Sequence, residues 1–92
     1  MKGFIGYKYK PHYFYIIADL NRRAKLLSIG ITSRTPKKRK NEYVCGYRYE
    51  ILYSTLFPTW KKAYKFEQEM KQIYKNDPNF SQFGNTENFY IG

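Results

Sequence analysis

Cysteine and histidine are nearly absent from this sequence, with Cys45 and His12 the single residues of their kinds. One cysteine cannot form an intramolecular disulfide, and one residue of each type cannot supply the ligand set of a structural zinc site. A reducing, cytoplasmic setting is the natural expectation. Long apolar runs are missing as well. No eighteen apolar residues follow one another, and the opening MKGFIGYKYK interleaves Gly, Tyr and Lys with no apolar stretch of leader length, so neither a spanning helix nor a membrane address is expected.

Acidic residues are scarce too. Seven Asp and Glu face seventeen Lys and Arg, a net charge of +10 in 11.2 kDa. So one-sided a charge favours a polyanionic partner, nucleic acid first. An anionic membrane surface and plain Lys-rich composition are the alternatives. What the chain has in quantity is aromatic side chains, eleven Tyr and seven Phe among them. Tyr interleaved with Lys offers base stacking beside phosphate neutralisation.

Ninety-two residues are too few for two cores. Residues 1–92 are therefore expected to fold as one domain, with 1–11 a basic N-terminal extension. His12 to Asp19, HYFYIIAD, and Lys25 to Thr32, KLLSIGIT, read as two strands joined by the polar turn LNRRA. Thr35 followed by Pro36 starts a short basic helix that can run through KKRKNEYV to a stop at Gly46. Tyr49 to Phe57 reads as a third strand ended by Pro58. Thr59 then caps a longer helix from Trp60 to about Lys75, which Asn76, Asp77 and Pro78 end. In the polar and aromatic tail, Asn88 to Ile91 is a candidate short strand. The order predicts an α+β domain, a small, mainly antiparallel three-stranded sheet flanked by helices. Helices on both faces would explain why HYFYII is apolar in both phases.

On the long helix Trp60, Ala63, Phe66, Met70, Ile73 and Tyr74 gather on one side, and Glu67 falls inside that stripe while Glu69 points the other way. A carboxylate on an apolar face needs a cation, donors or a metal. Glu67 is thus either a metal ligand or a residue at the border of the core paired with a surface lysine. Arg39 and Tyr43 are spaced i, i+4 and would project a guanidinium and a phenol together, enough to hold a phosphate. The plainer reading is a solvated basic helix with a tyrosine packed on the core. Tyr15 lies on the first strand and Gly30 on the second, where a missing side chain lets another group come close.

These pieces, in this order, resemble the GIY-YIG nuclease domain, and more closely its variant branch with a hydrophobic-Gly-Ile-Thr second motif. The resemblance covers about Tyr13 to Ile91. Phe14-Tyr15 is similar to the end of the first motif, with Tyr13 where its glycine would stand. Ser28-Ile29-Gly30, running on as Ile31-Thr32-Ser33-Arg34, is similar to the second, with Ser28 in place of its tyrosine. Arg39 matches the family arginine, and Tyr43 the Tyr or His one turn later. The stretch Ala63-Tyr64-Lys65-Phe66-Glu67-Gln68-Glu69-Met70 is similar to the family's Ala-x-x-Leu-Glu-x-x-Leu helix, whose metal-binding glutamate falls on Glu67. Asn79 is similar in spacing to a family asparagine, and Thr86-Glu87-Asn88-Phe89 to the variant branch's closing motif.

The resemblance implies an endonuclease that hydrolyses DNA phosphodiesters with one Mg²⁺ or Mn²⁺ held by Glu67. In that reading Arg39 neutralises the phosphoryl group, Tyr15 deprotonates or positions the attacking water, and Tyr43 assists. Arg34, Lys37, Lys38, Lys40 and Asn79 would hold the DNA. A phenol acting as base must lose its proton well below its ordinary pKa of about 10, which calls for adjacent cations. The core consumes nearly the whole chain, so the protein would act with low specificity, form a homodimer, or borrow targeting from a protein partner, in a phage or mobile element. Two rivals stand beside it. One is a catalytically weak or inactive nucleic-acid-binding module on the same fold, acting with a larger protein partner and favoured by Ser28. The other is a basic structural protein of a ribonucleoprotein particle.

Overall fold

The computed structural model describes residues 9–21, 25–43, 46–83 and 88–91. Most of the expected N-terminal extension, part of the LNRRA turn, and Thr86-Glu87 of the closing motif lie outside the described residues. Strands β1 (His12–Asp19) and β2 (Leu26–Thr32) form where β-branched and aromatic side chains run without a breaker. They pair antiparallel in unbroken register, from Tyr13 opposite Thr32 to Asp19 opposite Leu26. Strand β3 (Glu50–Phe57) pairs antiparallel along the other side of β1. Ile16 opposes Tyr53 and Ile17 opposes Ile51, so Leu52 is an extra residue that makes a bulge.

Two further strands complete the sheet, β4 (Phe80–Phe83) and β5 (Asn88–Ile91). The order is β3-β1-β2-β5-β4, with every neighbouring pair antiparallel. The protein is thus a small α+β fold, and its sheet has five strands among the described residues rather than the expected three. β5 falls where the tail suggested a strand. β4 escapes sequence reading because FSQF is four residues long, too short for a period to declare itself. Its partner is β5, eight residues on.

Helix α1 (Pro36–Asn41) begins as expected, with Thr35 Oγ1 accepting the Lys38 N–H at 3.3 Å and proline in the first turn. It ends at Asn41, short of the anticipated stop at Gly46. The Glu42 and Tyr43 N–H groups bond back three residues, to Arg39 and Lys40 carbonyls at 3.1 Å, a tightened last turn from which the chain departs. A 3-10 turn, Gly46–Arg48, follows. Helix α2 (Trp60–Lys75) is capped by Thr59, whose Oγ1 accepts the Lys62 N–H at 3.4 Å. Among the described residues no helix is long and apolar enough to cross a membrane.

The pleat divides β1 between two layers. Phe14, Ile16 and Ala18, with Leu27, Ile29 and Phe89, form a core covered by Phe66, Met70 and Tyr74 of α2. Phe14 meets Phe66 edge-on at 4.8 Å. Tyr15, Ile17 and Asp19 point to the other face and are buried as well, which is why HYFYII is apolar in both phases. The stripe on α2 is narrower than the sequence pattern implied. Ile73 is 59% exposed, because at about 100° per residue it stands roughly 80° from Ala63, past the edge of the strip that meets the sheet.

Candidate active site

The face of the sheet away from α2 gathers four of the residues singled out above. Tyr15 on β1 is fully buried, and its hydroxyl lies 3.0 Å from that of Tyr43. Ser28 on β2 opposes Ile17, and Gly30 opposes Tyr15, so Ser28 and Gly30 share the Tyr15 face. Ser28 Oγ also lies 3.0 Å from the Tyr43 hydroxyl. Gly30 adds no side chain there, which leaves room beside Tyr15. Tyr43 arrives at this face because α1 stops early, and Tyr49 backs it, with ring centroids 5.4 Å apart.

The guanidinium carbon of Arg39 lies 4.9 Å from the centroid of the Tyr43 ring, within cation–π range. Arg39 also contacts Glu42, Nη1 to Oε1, at 3.3 Å. A tyrosine hydroxyl has one proton and two acceptor sites. Either hydroxyl of each pair can donate; in the arrangement where Tyr15 and Ser28 both donate, Tyr43 keeps its own proton for an incoming oxygen beside Arg39. Tyr43 is half-buried and the Arg39 side chain is 34% exposed, whereas Tyr15 and Ser28 are sealed. The reachable members of the cluster are therefore Arg39 and Tyr43.

Glu67 is buried, at 6% exposure, as its place in the apolar stripe implied. Its Oε1 accepts from Gln68 Nε2 at 3.1 Å and lies 3.5 Å from Lys71 Nζ, an i, i+4 ion pair. The lysine partner of the plainer reading is thus Lys71. Glu67 belongs to the helix that covers the Phe14 face. Among the described residues no three or more His, Cys, Asp or Glu side chains are grouped so that they could hold a metal ion. One carboxylate still fits a magnesium-type ion, which is commonly held by one or two carboxylates and completes its shell with water and phosphate oxygens.

The remaining site residues divide. Lys37 and Lys38 on α1 are exposed and Lys40 is half-buried. Arg34 is ion-paired with Glu42. Asn79 lies exposed in the turn after α2, where its N–H donates to Asp77 Oδ1 at 2.9 Å. Sequence reading missed the bond from Ser28 to Tyr43, although period 2 along β2 already places Ser28 on the Gly30 face. It also missed the pairing of Arg48 Nε with the nearly buried Asp19 Oδ2 at 3.5 Å, for which residues so far apart in sequence give no signal. Comparison with protein-family models, curated proteins and solved structures finds no match.

Proposed function

We propose that this chain is a metal-dependent endonuclease acting on DNA phosphodiesters, in the manner of GIY-YIG nucleases. The observation that carries the reading is the Tyr43 hydroxyl held between Tyr15 and Ser28 with Arg39 over its ring. Residues from three separate elements converge there on one anion-seeking pair. In the reaction Arg39 binds a non-bridging phosphate oxygen and opposes the charge that develops on it. Tyr43 donates to a second oxygen, or orients the attacking water, and Tyr15 and Ser28 hold it in place. Glu67 would hold one Mg²⁺ or Mn²⁺, which supplies Lewis-acid neutralisation of phosphate charge. Lys37, Lys38 and Lys40 neutralise flanking phosphates, and specificity comes from a targeting partner or a second copy.

A second reading, a nucleic-acid-binding module without cleavage, is favoured by Lys71 on Glu67. A plasmid-nicking series with Mg²⁺, Mn²⁺ and chelator separates the two. The first reading expects metal-dependent nicking that Glu67→Gln abolishes while DNA binding persists. Nicking that survives this substitution removes Glu67 from the reaction, and no nicking by the unaltered protein with any metal leaves the binding module.

A further inference from the structure

Helix α2 carries a second aromatic feature that the core does not use. Trp60, the chain's one tryptophan, stacks on Tyr64 with ring centroids 4.7 Å apart and planes inclined by 15°. The core beneath this helix takes Phe66, Met70 and Tyr74 instead. Tyr64 is 42% exposed. At about 100° per residue, Trp60, Tyr64 and Glu67 fall within roughly 60° of one another, and Lys61, Lys71 and Lys75 lie within about 60° of Tyr64. Lys61 and Lys75 are exposed. The flank thus combines a pre-stacked aromatic pair, Tyr64 exposed and Trp60 half-buried, with two exposed cations, Lys61 and Lys75.

We propose that the Trp60–Tyr64 pair is a stacking platform for the unpaired bases of a single DNA strand, with Lys61 and Lys75 on its phosphates. A duplex keeps its base faces inside its own stack, whereas an unpaired strand presents them, and every base has such a face to offer. The two rings are already parallel, so a base adds to the stack without reordering them. Charge selects the occupant: a row of lysines in a chain of net charge +10 fits a polyanion. This inference rests on the DNA-directed part of the proposed function and narrows its substrate to DNA with unpaired nucleotides beside the cleavage point.

Trp60 is itself the probe. The full chain, in chelator and without metal, is titrated with an oligothymidylate about ten nucleotides long and with a blunt duplex of similar length, and tryptophan emission and anisotropy are read together. The expected result is quenching by the single strand and little by the duplex. Tyr64→Leu, which keeps a helix-forming apolar residue, should weaken single-strand binding by about tenfold and leave duplex binding in place, while Tyr64→Phe should bind as the unaltered chain does. Equal emission changes with both ligands, or single-strand affinity indifferent to Tyr64→Leu, overturns the proposal. No cleavage enters the measurement, so its outcome is independent of whether Glu67→Gln abolishes nicking.

Discussion

At the scale of single residues, the Tyr43 hydroxyl does what no neighbour can replace. Ser28 is small enough to be sealed in the sheet face, yet long enough to reach Tyr43. The half-buried phenol it meets comes from the segment after α1. Tyr43→Phe keeps the ring beneath Arg39 and deletes only the hydroxyl. Two buried hydroxyls, of Tyr15 and Ser28, then lose their shared partner, at an expected cost of about 1–3 kcal/mol, read from urea denaturation. If Tyr43 donates to the phosphate, nicking falls by a further factor of roughly 10²–10³, the range for losing one preorganised donor. Ser28→Ala removes a single bond and should cost only about 1 kcal/mol, with a smaller loss of rate. A Tyr43→Phe protein that is destabilised but nicks at the original rate would limit Tyr43 to a structural part.

At the scale of elements, α1 is the weak point on which the cluster depends. Six residues are far below the roughly 12–15 at which a helix is even marginal by itself, so α1 relies on its Thr35 cap and on buried Pro36. Thr35→Ala should cost about 1 kcal/mol, much of it felt locally as fraying that carries Arg39 and Tyr43 away from Tyr15. Thr59→Ala, the equivalent change at the cap of the sixteen-residue α2, costs a similar amount but frays a helix that carries neither Arg39 nor Tyr43. Melting temperatures of the two variants should fall alike, while nicking should fall further with Thr35→Ala; equal losses of rate would detach α1 from catalysis. Which elements were legible in the sequence follows the same physics. β1, β2 and α2 are long, strongly patterned and marked by turn or cap residues, so their bounds could be read within a residue or so. β4 and the end of α1 are set by tertiary partners, respectively β5 and the sheet face that receives Tyr43, and short segments carry no pattern able to announce such partners. Of the site, Tyr15, Arg39 and Tyr43 were legible as a cluster only through the resemblance, and the burial of Glu67 through periodicity alone. Which face α2 covers is not declared in advance by a sheet apolar on both faces.

At the scale of the whole molecule, the charge of +10 is unevenly spread. Strand β3, EILYSTLF, contains no Lys or Arg, whereas α1, PKKRKN, is two-thirds cationic by residue. The longest dimension is 44 Å, room for about thirteen base pairs at 3.4 Å each. Binding should therefore be dominated by counterion release, with log K falling linearly in log salt by about 0.9 for every phosphate neutralised. If α1 lies along the backbone, Lys37→Ala with Lys38→Ala should flatten that slope by about 1.8, across 50 to 200 mM salt by roughly the same anisotropy assay for any duplex sequence. Replacing Glu50 on β3 with Gln should leave the slope within error. The slope is the informative quantity, since affinity alone also falls when a helix frays. A double lysine variant that binds more weakly with an unchanged slope would show that α1 does not touch phosphates, and the path of the DNA would have to run along the lysines of α2 instead.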